Sequence, residues 1–319
     1  MTTQRRTLLM TFGPLLLAAG CAGREGQREA EGPVQRFAAA LDDAKDSVDG
    51  LIARMDGFER HAMAEEEAVA FATGPAQRGR ARGEMPSRFT PAPAGAADAA
   101  GRVLDTAFAA LEDYSQVLAE AASGRRVTDA EGLNGRQLAR STEAALEALQ
   151  RSGGGLVPER ERSAGLQGIA ALADLPQEVA KRGRPPTESA LVAEAQPHVA
   201  ATAALLQAAI GAGPGQGARG AIAARQGRLD SSHARLLAAV RSDGRVGPTT
   251  RYSVFRSIAE SRDGDPDETA FDALLEMIKA MEQAHASLGA GGTGADAKVS
   301  AFEVTVARLR SFNEASRRG

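Results

Sequence analysis

The chain has 319 residues, a net charge of −3 and only 4% aromatic residues. That length covers two modest domains or one elongated one, and the near-neutral balance excludes the global basic field that recruits nucleic acid. Alanine is abundant, tryptophan is absent and strand formers are scarce, so the chain is expected to be all-α; a single cysteine excludes an internal disulfide.

Arg5 and Arg6 precede an apolar run from Leu8 to Ala19, and small residues close the run ahead of Cys21. A charged start, a short apolar middle and a small-residue end are the three parts of a secretory signal. Gly13 and Pro14 interrupt the run, which falls short of the roughly 20 residues that a permanent membrane helix needs. Leu17-Ala18-Ala19-Gly20-Cys21 resembles the lipobox of bacterial lipoproteins. The resemblance implies that residues 1–20 are a signal peptide, that the chain is cut before Cys21, and that Cys21 is lipidated. It also implies residence in the cell envelope, facing the periplasm. In that family an aspartate after the cysteine marks inner-membrane retention; Ala22 here favours the outer membrane. Residues Thr3 to Leu9 also loosely resemble a twin-arginine export signal, with ordinary unfolded export as the alternative. A lone cysteine at this point suits an envelope protein built without disulfides.

Residues 21–32 read as the lipidated cysteine and a charged, glycine-rich tether. Pro33 then opens a long helix in which Val34, Phe37, Leu41, Ala44, Val48, Leu51, Met55, Phe58 and Ala62 alternate steps of three and four. That spacing defines one narrow apolar seam, as in a coiled coil or an antiparallel bundle. The pattern stops at the proline- and glycine-rich stretch from Gly74 to Gly95. Its arginines Arg78, Arg80, Arg82 and Arg88 are candidates for contact with an anionic surface, and a solvated loop is the plainer reading.

A second helix from about Asp98 to Ala122 repeats the seam with Leu104, Ala107, Leu111, Tyr114, Leu118 and Ala121. Thr128 and Glu131 resemble a capping box for a third, which carries Leu138, Ala145, Leu146 and Leu149. Gly153-Gly154-Gly155 ends it and marks a boundary between an N-terminal helical unit (33–153) and a C-terminal one (154–319). A fourth helix follows Pro158, with a kink or break expected at Pro176. A fifth runs from Thr187 to Ile210 with a kink expected at Pro197. Gly215-x-Gly217-x-x-Gly220 matches a dinucleotide-binding fingerprint in letters only: a helix precedes it, so an interhelical turn is expected. The sixth helix sets Ile222, Leu229, His233, Leu236 and Val240 on one seam; Tyr252, Phe255 and Ala259 mark a seventh. Asp265, Pro266 and Glu268 read as the start of an eighth, with Phe271, Leu274, Ile278, Met281, His285 and Leu288 as its seam. Val299, Phe302, Val306 and Leu309 mark the last.

His233 and His285 both interrupt apolar seams. Glu282 and Asp230 stand three residues before them, the Glu-x-x-His spacing of metal sites in helical bundles. The alternative is that both histidines fix helix register through hydrogen bonds. A nucleophile elbow, an H-E-x-x-H, a Walker loop and a CxxC pair do not occur in the sequence, and no cofactor is expected. The expectation is an all-α, elongated antiparallel bundle, or two, of about eight or nine helices with coiled-coil-like seams. Its role is structural, adaptor or assembly partner without catalysis, with the membrane reached through lipidated Cys21, a protein partner in the envelope and no nucleic acid. A small-ligand or metal-binding module and an envelope hydrolase are the alternatives.

Overall fold

The structure, a computed structural model, describes residues 32–74, 95–125, 134–182, 186–213, 215–262, 268–290 and 292–318. These residues form nine α-helices and no strand. The bonding they need is local, which is what an alanine-rich chain supplies best. They are α1 (Pro33–Thr73), α2 (Ala96–Ala122), α3 (Gly135–Leu149), α4 (Glu159–Lys181), α5 (Glu188–Ile210), α6 (Gly217–Ser242), α7 (Pro248–Ser261), α8 (Glu268–Leu288) and α9 (Thr293–Arg318).

Helix α1 is 41 residues long, about 60 Å at the α-helical rise. All nine residues of its anticipated seam are buried, from Val34 to Ala62. Opposite it runs α2, antiparallel: Ile52 meets Gly101, and further along α1 Glu59 meets Ala97, which is further back on α2. Glu59 is 2% exposed, and its carboxylate accepts a 2.7 Å hydrogen bond from the Ala97 amide. An orphan N–H in the first turn of α2 thus finds a charged partner where the helix dipole is positive. A Cβ on Gly95 would lie 2.2 Å from that carboxylate, so the approach needs glycine there.

The same device recurs at α3, whose Gly135 amide donates to Asp174 of α4 at 2.9 Å while the Asn134 side chain accepts from Gln137. A five-residue π turn, Gln150–Gly154, ends this helix, with Gly153 at φ +97°. Neither Pro176 nor Pro197 ends its helix: α4 and α5 run through them. The two helices lie antiparallel and close, because Gly165 faces Leu205 and Gly168 faces the His198 carbonyl. Where α4 ends, Arg182 forms a two-pronged pair with Glu194 of α5 at 2.8 and 2.6 Å. That pair holds the Glu194 carboxyl below the usual range.

Helices α8 and α9 form a hairpin, and α9 lies parallel to α1. Arg36 bonds Ser300 and Glu303, and Asn313 donates to the Ser47 carbonyl at 2.6 Å. Phe271, Leu274, Ile278, Met281, His285 and Leu288 are all buried, as are Val299, Phe302, Val306 and Leu309. One hydrophobic cluster draws on helices from both sides of Gly153, since α1 packs on α6, α8 and α9 as well as on α2.

The caps expected at Thr128, Glu131, Asp265 and Pro266 lie outside the described residues. No described helix is long and apolar enough to cross a membrane.

Candidate functional site

A hydrogen-bonded polar assembly joins three helices in the interior. Tyr114 of α2 and His285 of α8 are both 0% exposed. Tyr114 Oη lies 2.8 Å from His285 Nε2, and His285 Nδ1 lies 2.6 Å from Gln196 Oε1 on α5. An amide oxygen only accepts, so Nδ1 carries the proton and Nε2 accepts from the tyrosine hydroxyl. Burial pushes His285 down to about 4 and Tyr114 upward, which keeps both neutral at pH 7. Phe37 of α1 tilts against the imidazole at 5.9 Å between centroids, and Phe302 of α9 packs on Phe37 at 5.8 Å. A neutral histidine with both nitrogens engaged ties α2, α5 and α8 at one level.

The metal constellation anticipated from Asp230, His233, Glu282 and His285 does not form. His285 sits beside Phe37, whereas His233 Nε2 is 3.4 Å from Glu65 Oε1. Positions 37 and 65 of α1 are about 40 Å apart along the helix, far beyond the reach of a shared ion whose ligands sit about 2 Å away. Asp230 pairs instead with Arg262, and both nitrogens of His285 are already taken. Among the described residues no group of three or more His, Cys, Asp or Glu side chains could hold a metal. Equal sequence spacing placed each acid near its histidine but could not show at which level of the bundle each helix pair meets.

The glycine fingerprint is a tight turn between α5 and α6. Gly215 and Gly217 have φ +79° and +54°, and a Cβ on Gly220 would lie 2.3 Å from the Gly215 backbone. These glycines let the backbone pack upon itself. Two hollows among the described residues are small or open. One of about 50 Å³ lies between α1 and α9, lined by Ala40, Asp43, Glu303, Val306, Ala307 and Arg310. That is room for a water or two, well below the few hundred Å³ of a metabolite pocket. The other is a surface depression beside Glu143, Glu159 and Arg162.

What the seam pattern missed is an exposed end. Along α6 burial stops after His233: Leu236, Leu237 and Val240 are only half-buried. Helix α7 packs chiefly on α6 and buries Ile258 alone. Tyr252 and Phe255, which mark this helix in the sequence, are 65% and 60% exposed, and Ala259 faces solvent too. Among the described residues α6 is the one substantial neighbour of α7, so one apolar row is covered and the second is left outside. Phe71, in the last turn of α1, is 86% exposed.

This arm is basic. Residues 217–262 hold nine arginines against three acidic residues, a net +6 in a chain of −3. Arg225 pairs with Glu66, Arg256 with Glu260 and Arg262 with Asp230. Arg228, Arg241 and Arg245 are exposed and form no ion pair among the described residues. The bias was countable in the sequence; that its exposed part projects beyond the last buried turn of α6, while Arg219 pairs with Glu268 and Asp272 inside the bundle, was not.

Arg5, Arg6, Leu17, Ala18, Ala19, Gly20, Cys21, Arg78, Arg80, Arg82 and Arg88 lie outside the described residues. Comparison with protein-family models, with curated proteins and with solved structures returned no match.

Proposed function

We propose that this chain is a lipid-anchored envelope protein with a structural, adaptor or assembly role, held through Cys21 and facing the periplasm from the outer membrane. One observation carries the reading. Helix α1 starts at Pro33, directly after the tether, and runs unbroken for 41 residues to an end flanked by the α6–α7 arm. A rod of about 60 Å holds a protruding helix pair at a set distance from an anchor. The polar assembly at His285 is a register pin between helices in this reading, and no catalytic step is assigned to it.

Native mass spectrometry of the full-length protein, gently extracted from its own cell envelope, tests the proposal. The expected species begins at Cys21, carries acyl chains and retains a second polypeptide. An uncut or unacylated chain sinks the anchor. An acylated chain that binds only a small molecule, lost on His285→Ala, sinks the structural role instead.

A further inference from the structure

We infer that the α6–α7 arm is a peripheral docking element for an anionic phospholipid surface, distinct from the anchor proposed at Cys21. The outer face of α7 carries Tyr252, Phe255 and Ala259 in one row. Helical spacing sets Arg256 on one flank of that row and Arg251 and Arg262 on the other. Aromatic groups bordered by arginines on a short, otherwise polar helix are the pattern of a helix lying in a headgroup layer. Arg241 and Arg245 stand at the tip, where α6 turns into α7, and Arg228 lies between three and four turns earlier on α6; all three are exposed and form no ion pair among the described residues.

The occupant follows from both halves of the surface. Three exposed guanidinium groups with no carboxylate among the described residues ask for phosphate or carboxylate, and two aromatic rings more than half exposed ask for an apolar layer directly beneath. An anionic bilayer offers the two stacked in that order. The face is convex and belongs to one helix, so it suits a plane better than the cleft of a protein or the groove that tracks a nucleic-acid strand. Glu65, Glu66 and Glu67 stand on α1 beside the arm, where Glu66 pairs with Arg225 and Glu65 faces His233. Asp42, Asp43, Asp46 and Asp49 lie on the proximal part of α1, about 30 Å along that helix from the arm's contact at Glu65. That exceeds the Debye length of about 8 Å at physiological salt, so this acidic ridge does not oppose an approach led by the arm.

The chain lacks tryptophan, so Phe255→Trp puts a single indole on the proposed face. The full chain carrying this change and Cys21→Ser, which removes the acylation point, is titrated with vesicles of phosphatidylcholine alone or with added phosphatidylglycerol. Because the indole reports its own surroundings, insertion of the apolar N-terminus elsewhere leaves it silent, and the result is independent of whether the chain is lipidated. The expected result is a blue-shifted emission with the anionic vesicles only, reversed by high salt. Binding should weaken at least about tenfold when Arg228, Arg241 and Arg245 become glutamine. Tyr252→Trp, at the other end of the row, repeats the test if the first variant folds poorly by circular dichroism. Four outcomes overturn the inference: an unshifted emission with anionic vesicles in both probes; an equal shift with neutral vesicles; a shift that grows with protein concentration alone, which assigns the face to a second copy; or tighter binding to RNA or DNA than to the vesicles.

Discussion

Tyr114, His285 and Gln196 show what a single buried polar residue costs and provides in this fold. Removing the phenol oxygen in Tyr114→Phe leaves His285 Nε2 without a partner in an apolar core. The expected loss is about 1–3 kcal/mol of unfolding free energy, read by urea denaturation. The same imidazole makes stability depend on pH. Burial holds His285 at about 4 in the fold, against about 6.5 in an unfolded chain. Between those values the unfolded state takes the proton that the folded state refuses, so stability falls as pH drops from 6.5 towards 4. At pH 5 the contribution lost is about 2 kcal/mol. Asp42, Asp105 and Glu112 act in the opposite sense, because burial raises their folded values and folding therefore favours their protonated forms. The difference in stability between pH 7 and pH 5 should accordingly shrink by about 2 kcal/mol in His285→Gln; an unchanged difference would mean that His285 is not held neutral. Glu59→Ala strips the Ala97 amide of its acceptor, for an expected cost of about 1–3 kcal/mol in the same assay.

Among the helices, glycine separates close packing from mere tolerance. Gly57 has open space where a Cβ would stand, so Gly57→Ala should stabilise the protein by about 0.5–1 kcal/mol through helix propensity alone. A Cβ on Gly168 would lie 2.7 Å from the His198 carbonyl oxygen, and Gly168→Ala must push α4 off α5; thermal unfolding should place its midpoint below that of wild type. The sequence shows two glycines in two helices and no difference between them. Seams were far more legible, because apolar residues at steps of three and four admit one buried face. That held for α1, α8 and α9, each flanked by several helices. It misled for α7, where Tyr252 and Phe255 obey the spacing but face no second neighbour. Periodicity reports that a face exists; how many neighbours share it depends on packing.

At the scale of the molecule, α1 sets the length and α6–α7 sets the polarity. Scattering from the full chain in solution should give a longest dimension of at least about 60 Å, the length of α1; a value near that of a compact sphere of this mass would mean that α1 bends. The basic arm makes adhesion to anionic surfaces sensitive to salt, whereas an unfolding midpoint set by the apolar core should change little between 0.05 and 0.5 M salt, since most of the ion pairs are exposed.

The all-helical class and the seams of α1, α2, α8 and α9 were determined by the sequence itself, because helical bonding and propensity act within a few residues. Only the tertiary structure decided that His233 and His285 lie about 40 Å apart, that Glu59 and Asp174 cap helices to which they do not belong, and that α7 turns two aromatic residues outward. Each depends on which helices meet, at what level and how many times. That is set by the summed packing of nine helices, and no stretch of one of them contains it.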